Sequence, residues 1–178
     1  MPPSNGYEPM IYLNEIIEGS NQKEITVGHK PLFNDSEIKK LYDQDYEPNG
    51  WNKTELINLI NNGNVHSMDD IGHGSSYTNF KLDIPDIDNG IITNNYPFFI
   101  FTGSCWGANF DNFQWVTTPY DSIAEHLITN KDGPFAIIGS SFFLSDKLIV
   151  TLFRSFMSVG GVEPLSDGFV SKSVGRLP

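Results

Sequence analysis

The sequence predicts an α/β fold with a mainly parallel sheet and helices on both of its faces. Two segments, residues 96–102 (YPFFIFT) and 134–138 (PFAII), are almost wholly apolar, as expected of strands that are covered on both faces. Segments with helical spacing alternate with such strands, and this alternation is typical of parallel sheets. The 178 residues have the length of one domain and can bury a sizeable core.

The N-terminal part of the chain has the weakest periodicity. Residues 1–22 are rich in Pro, Gly, Asn and Glu, which predicts an irregular lead-in before a domain over residues 23–178. A short strand is expected at 24–27. A helix is predicted at 34–42, because Asn34 or Ser36 can cap its start and Ile38 and Leu41 are three positions apart. A turn is predicted at 46–50.

The middle of the chain has a clearer pattern. In residues 53–61 the apolar side chains recur at spacings of three and four, which predicts a helix that Gly63 terminates. Residues 65–71 are predicted to form a strand, and residues 75–90 a mostly polar loop.

Two further helices are predicted in the C-terminal half. One lies at residues 122–129, between the two apolar strands, and the other at about 148–157. Ser122 and Glu125 have the spacing of a capping box at the start of the first of these helices. We therefore expect Glu125 to have a structural role, since a carboxylate is favourable at a helix N-terminus.

Three of the predicted strands end in glycine beside a polar residue. The three ends are Gly72-His73-Gly74, Gly103-Ser104-Cys105 and Gly139-Ser140-Ser141. Functional groups in open α/β sheets gather beyond the carboxyl ends of the strands, and parallel strands place these ends on one edge. The sequence therefore predicts that His73 lies near Cys105.

Cys105, the one cysteine of the chain, and His73 have the chemistry of a nucleophile and its acid/base partner. A cysteine attacks as the thiolate, which a nearby imidazole makes available near neutral pH. The N–H groups of Gly74 and Cys105 are candidate donors to the oxyanion that forms. The pattern is also compatible with a cysteine that packs in the core and a histidine that lies on the surface.

Composition excludes some partners. Eleven basic residues against 22 acidic ones give a net charge of −11, so no basic surface is available for nucleic acid. No apolar run approaches the roughly 20 residues of a membrane span, and the N-terminus lacks the pattern of a signal peptide. No cofactor or metal site is predicted. The acidic residues at 83–88 could bind Ca²⁺, but they lack EF-hand spacing and are typical of a solvated loop.

Five segments, taken together and in order, resemble those of one family. They are IGHGS (71–75), FFIFTGSCWGANF (98–110), SIAEHLI (122–128), FAIIGSS (135–141) and Gly160-Gly161-Val162. The first is similar to the Gly-His-Gly-Ser of the gingipain-type cysteine peptidases, in the caspase/legumain/clostripain clan. The second is similar to the nucleophile segment of that family, and the match spans about residues 53–172.

The resemblance implies a caspase-like, three-layer α/β/α fold and hydrolysis of peptide bonds through an acyl-enzyme. It implies Cys105 as nucleophile, His73 as acid/base, and the N–H groups of Gly74 and Cys105 as the oxyanion hole. It also implies a polypeptide substrate and a secreted or cell-surface protein. Residues that could line the substrate pocket are Ile71, Gly72, Ser104, Phe142, Phe143 and Asp146.

The chain also departs from the family. Members have a further α/β subdomain upstream and more chain downstream, so residues 23–178 are expected to be a caspase-like subdomain truncated at both ends. No Trp stands near residues 142–146, where the family has the roof of the specificity pocket, so the residue preference stays open. Two alternatives remain: an inactive peptidase-like binding module, and an acyl-transferring enzyme with the same dyad. The oligomeric state is also open.

Overall fold

The computed structural model describes residues 7–19, 34, 36–46, 50–62, 65–110 and 121–141. These residues form a mixed α/β structure. In chain order its elements are helix α1 (Tyr7–Glu18), a 3-10 helix (Asp43–Tyr46), α2 (Lys53–Asn62), strands β1 (Ser67–Asp70), β2 (Thr78–Asn79) and β3 (Leu82–Asp83), α3 (Ile84–Asp88), β4 (Phe99–Thr102), α4 (Ile123–Thr129) and β5 (Ala136–Ile138).

The main sheet has three parallel strands in the order β1-β4-β5. In the register of the first pair, Ser67 lies opposite Phe99 and Asp70 opposite Thr102. In the second pair, Phe101 lies opposite Ile138. The predicted parallel sheet is therefore confirmed, and its strands correspond to the segments predicted at 65–71, 96–102 and 134–138.

Helices pack against both faces of the central strand, β4. Successive side chains of a strand point to opposite sides, so neighbouring residues of β4 belong to different clusters. Ile100 belongs to the larger core cluster, which α2, α3 and α4 complete. Phe101 belongs to a smaller cluster with Ile71 and with Ile16 of α1. The buried residues of the larger cluster are Leu56, Ile57, Ile60, Phe80, Leu82, Ile84, Ile87, Ile92, Phe98, Ile100, Ile123 and Leu127.

Helix α1 lies where the sequence predicted an irregular lead-in, so that prediction was wrong over these residues. The helix tolerates Pro9 because the proline stands in the first turn, where a backbone N–H has no helical partner. Ile16 and Ile17 are buried. Burial of this short apolar stripe against the sheet supplies stability that the composition of residues 1–22 does not indicate.

The helix predicted at 34–42 is also wrong for the residues the structure describes there. A single turn forms, in which the Glu37 N–H donates to the Asn34 carbonyl and the Asn34 N–H donates to the Glu37 carboxylate. The chain then continues without helix to the 3-10 helix at Asp43–Tyr46. Two apolar residues bury too little surface to offset the cost of helix nucleation.

The loop predicted at 75–90 contains a β-hairpin and a short helix. Strands β2 and β3 pair antiparallel across the two-residue turn Phe80-Lys81. Both turn residues have positive φ, 54° and 58°, as a type I′ turn requires, although neither is Gly or Asn. In this turn the Lys81 ammonium group binds the Asp43 carboxylate and lies 4.4 Å from the centre of the Trp51 ring.

The predicted helices at 53–61 and 122–129 are confirmed as α2 and α4. The strand predicted at 24–27 and the helix predicted at 148–157 lie outside the described residues, as do residues 47–49 of the predicted turn.

Candidate active site

The segments that carry His73 and Cys105 leave the sheet side by side. Asp70 ends β1 and Thr102 ends β4, and these two residues lie opposite each other in the parallel register. His73 and Cys105 each follow three positions later. The N–H of Gly103 donates to the Asp70 carbonyl across 2.8 Å, so the two segments are still joined one residue beyond the strands. The predicted placement of both residues at adjacent strand ends on one edge is confirmed.

Gly74 packs directly against the residue that precedes Cys105. A Cβ atom added to Gly74 would lie 2.7 Å from Ser104 Cβ, 2.8 Å from Ser104 Oγ and 3.2 Å from the Thr78 carbonyl oxygen. No larger residue fits between these groups without a shift. The N–H of Gly74 has no hydrogen-bond partner within the described part of the chain.

The two predicted catalytic side chains differ in exposure. His73 is exposed, and within the described ranges its ring has no hydrogen bond or ion pair. Cys105 is half-buried. Cys105 is therefore not a fully buried core residue.

The turn after Cys105 is strained and firmly held. Trp106 has a φ of 60°, in the left-handed region, which costs a non-glycine residue roughly 1–2 kcal/mol. Two backbone hydrogen bonds fix the turn: Ala108 N–H donates to the Ser140 carbonyl across 2.9 Å, and Ala124 N–H donates to the Gly107 carbonyl across 3.3 Å. The end of β5 and the start of α4 therefore both support the loop that carries Cys105.

A buried polar network underlies this edge of the sheet. The Thr102 hydroxyl donates to the Asp70 carboxylate across 2.8 Å and lies 2.8 Å from the Ser104 hydroxyl. It also accepts the side-chain N–H of Asn79, at 3.1 Å, and the backbone N–H of Ser104, at 3.2 Å. Thr102, Asn79 and Ser104 are all buried.

Asp70 is the titratable group of this network. The residue is half-buried, and its carboxylate accepts the Thr102 hydroxyl. Burial raises the pKa of Asp70 to about 6; the hydrogen bond from Thr102 partly opposes this rise, and the negative charge of Asp69 adds to it. The carboxyl therefore changes charge near neutral pH.

The sequence reasoning did not single out this network. Two features of the sequence indicate it: Asp69 and Asp70 are the last residues of β1, and Thr102 is the last residue of the apolar strand β4. Only the strand register shows that Asp70 and Thr102 face each other.

The predicted pocket residues have different positions. Gly72 is exposed at the edge of the site. Ile71 is buried in the cluster against α1, and Ser104 is buried in the polar network, so we assign both side chains to the interior. Phe142, Phe143 and Asp146 lie outside the described residues.

Glu125 has the capping role that the sequence predicted. Its Oε2 accepts the backbone N–H of Ser122 at 2.6 Å and the Ser122 hydroxyl at 2.9 Å. Ser122 is completely buried beside the site-forming loop. The pair fixes the start of α4, the helix that also supports Gly107.

Asn109 is the buried group in this region that lacks partners. Among the residues described, its side-chain nitrogen and oxygen are buried without any hydrogen bond. Such an unsatisfied amide costs roughly 1–3 kcal/mol. It lies four residues after Cys105, in the same loop.

Two of the three aspartates at 83–88 have a basic side chain as partner. Lys53 binds Asp86 at 2.7 Å, and His126 Nδ1 lies 2.7 Å from Asp88. Across the described ranges, no group of three or more His, Cys, Asp or Glu side chains is arranged to hold a metal ion. None of the helices that the structure describes has the length and apolar character needed to cross a membrane.

Comparisons with protein-family models, with curated proteins and with solved structures found no match to this chain.

Proposed function

We propose that this chain is a cysteine endopeptidase in which Cys105 is the nucleophile and His73 the general acid/base. The main support is the pairing of the two strand ends: β1 and β4 are parallel neighbours, and Gly74, next to His73, packs on Ser104, next to Cys105. The motif resemblance to the gingipain-type peptidases supports the same assignment. With it comes the proposal that the sheet and its helices form a caspase-like, three-layer α/β/α domain.

The proposed reaction has two steps. His73 accepts the proton of the Cys105 thiol, and the thiolate attacks the carbonyl carbon of the scissile peptide bond. The C–N bond then breaks, and His73 gives its proton to the leaving amine, which leaves a thioester on Cys105. Water attacks the thioester while His73 accepts its proton. The carboxylic acid departs, and the proton returns to the Cys105 sulfur.

The negative oxygen that forms in each step needs donors in place. We propose the N–H groups of Gly74 and Cys105 for this role. The N–H of Gly74, which has no hydrogen-bond partner among the described residues, supports this proposal. The turn at Trp106, fixed from two sides, would keep the Cys105 N–H in a constant direction.

The substrate class proposed is polypeptide, and the residue preference before the scissile bond stays open. A secreted or cell-surface location is proposed from the motif resemblance. Two other functions are compatible with the same residues: a binding module without turnover, and an enzyme that passes the acyl group to an amine instead of water.

A mixed peptide library tests the proposal, with fragments identified by mass spectrometry. We expect cleavage by the wild type and a loss of at least a thousandfold in Cys105→Ala and His73→Ala. Ser141→Ala is the matched control, because Ser141 is exposed and follows the end of β5, on the same edge of the sheet. It should cleave like the wild type.

The same assay separates the alternatives. Ligation products with an added amine, in place of hydrolysis products, would indicate acyl transfer. If the wild type neither cleaves peptides nor reacts at Cys105 with an electrophilic peptide probe, the chain is a binding module and the peptidase proposal fails.

A further inference from the structure

We propose that Asp70 is a positioning residue for Cys105, and that its ionised form holds the nucleophile loop through the hydroxyl groups of Thr102 and Ser104. This inference rests on the proposed function, in which Cys105 is the nucleophile. Asp70 does not touch the reacting atoms. It acts through a hydrogen-bonded chain that ends one residue before Cys105.

The hydrogen bonds around Thr102 determine which hydroxyl group donates and which accepts at each link from Ser104 to Asp70. A hydroxyl group donates one hydrogen bond and accepts two. An ionised carboxylate can only accept, so the Thr102 proton points to Asp70. Because the single Thr102 proton is used in this bond, the Ser104 hydroxyl, 2.8 Å from Thr102 Oγ1, is the donor of that pair. It then shares the two lone pairs of Thr102 Oγ1 with the longer contacts from the Asn79 side-chain N–H, at 3.1 Å, and the Ser104 N–H, at 3.2 Å. With Asp70 ionised, the protons of Ser104 and Thr102 therefore both point toward the carboxylate.

When Asp70 is protonated, the hydroxyl protons of Thr102 and Ser104 are no longer held in the direction of Asp70. A carboxylic acid is a weaker acceptor than a carboxylate, and charge-assisted hydrogen bonds are roughly twice as strong as neutral ones. The Thr102 proton is then no longer held by Asp70 and can turn to Ser104. Because hydrogen bonds in a chain polarise one another, the loss reaches Ser104 as well.

Ser104 conveys the change to the site because it is completely buried between the two glycines of the catalytic segments. Its hydroxyl lies 2.8 Å from the position of a Cβ on Gly74 and 3.0 Å from that of a Cβ on Gly107. A side chain enclosed so closely cannot turn without moving its neighbours. The Ser104 hydrogen bonds therefore help to set the position of Gly74 and of the loop that carries Cys105.

Several titratable groups lie on the described elements around Asp70. They are Asp69, His73 and Tyr77 on β1 and the loop after it, Cys105 after β4, Lys81 and Asp83 on the hairpin, Glu125 and His126 on α4, and Tyr12, Glu15 and Glu18 on α1. Asp69 raises the pKa of Asp70 by like-charge repulsion. Lys81 is bound to Asp43, and Glu125 to Ser122.

The test is the rate of Cys105 alkylation by iodoacetamide between pH 4.5 and 9, measured on the full chain. This rate reports on the thiol and does not require turnover, so the peptidase proposal can fail independently in the library assay. For the wild type we expect an inflection near pH 6 in addition to the thiol titration. In Asp70→Asn the inflection should disappear, and the rate at pH 7.5 should fall roughly five- to tenfold, the ratio expected between a charge-assisted and a neutral hydrogen bond.

Asp69→Asn is the matched control, since it makes the same charge change one residue earlier, on the opposite face of β1. Its rate at pH 7.5 should equal that of the wild type, and its inflection should move to lower pH, because a repelling charge near Asp70 is gone. Thr102→Ser, which keeps the hydroxyl, should keep the inflection, whereas Thr102→Val should lose it. The Thr102 pair decides the matter if Asp70→Asn does not fold.

Two results would overturn the inference. Faster alkylation in Asp70→Asn would show that the carboxylate merely repels the thiolate through space. An inflection that persists in Asp70→Asn or Thr102→Val but disappears in His73→Ala would belong to the imidazole.

Discussion

The hydroxyl of Thr102 donates to the carboxylate of Asp70 across 2.8 Å, at the ends of two neighbouring parallel strands. The two residues are 32 positions apart in the chain. Their contact joins the last residues of β1 and β4, where the segments of His73 and Cys105 begin. The stability of this edge and the proposed chemistry above it therefore depend on the same carboxyl group.

Stability should decrease as Asp70 ionises. The pKa of Asp70 is about 6 in the folded chain, above its usual value of 3.8, so folding favours the protonated form. This contribution is fully present below about pH 3.8 and is lost as the pH rises through 6. The difference corresponds to roughly 3 kcal/mol. Urea unfolding from pH 4 to 8 should show this decrease in the wild type and not in Asp70→Asn, and parallel curves for the two proteins would contradict the assignment.

Substitution of Gly74 by alanine should destabilise the protein. The new methyl group would lie 2.7 Å from Ser104 Cβ, in a region where nothing flexible can yield. We expect a loss of about 1–3 kcal/mol in the free energy of unfolding, as for other overpacked sites. Gly72→Ala is the control, because its methyl group would meet Asp70 Oδ1 at 3.4 Å, an ordinary contact. Equal melting temperatures for the two variants would show that Gly74 is not tightly packed.

Cys105→Ala should leave the fold intact while it removes hydrolysis. Because Cys105 is half-buried, loss of its sulfur should cost less than the roughly 2–5 kcal/mol of a large core truncation. Peptide cleavage should disappear, since the covalent route needs the thiolate. Thermal melting and the library assay, run on the same preparation, check both statements. Early melting of this variant, with no cleavage by the wild type, would identify Cys105 as a core residue.

Glu125 should matter for stability and not for chemistry. Glu125→Ala removes the acceptor of two hydrogen bonds from Ser122 and should cost about 1 kcal/mol, the usual value of a helix cap. Glu125→Gln keeps an oxygen acceptor and should lose less. Hydrolysis per folded molecule should be unchanged in both variants. Loss of turnover in Glu125→Gln at unchanged melting temperature would make this residue part of the catalytic machinery.

The sequence by itself was sufficient for the elements whose signals are local. Helix α2 follows from apolar spacing over three turns, and α4 from the same spacing together with the Ser122–Glu125 cap. Strand β4 follows from its continuous apolar run. The glycine-rich ends of the strands also placed His73 and Cys105 on one edge, because parallel strands share that edge.

Other elements were decided by contacts between distant residues. Helix α1 exists because Ile16 packs with Ile71 and Phe101, a contact that a reading of residues 1–22 cannot contain. The Phe80-Lys81 turn has positive φ at both residues, and Lys81 contacts Asp43 and Trp51, about 30 or more positions earlier in the chain.

The polar network of Asp70, Thr102, Ser104 and Asn79 also depends on contacts between residues that are distant in the chain. A sequence shows that Asp70 ends one strand and Thr102 another, but it does not show which residues face each other, because a shift of one residue in register would turn one of the two side chains to the opposite face. Packing of the whole sheet fixes that register. The tertiary structure alone therefore decided that the Asp70 carboxyl group lies under the loop of Cys105, whereas the local pattern of residues had already determined the strands of the main sheet, helices α2 and α4, and the edge on which the cysteine lies.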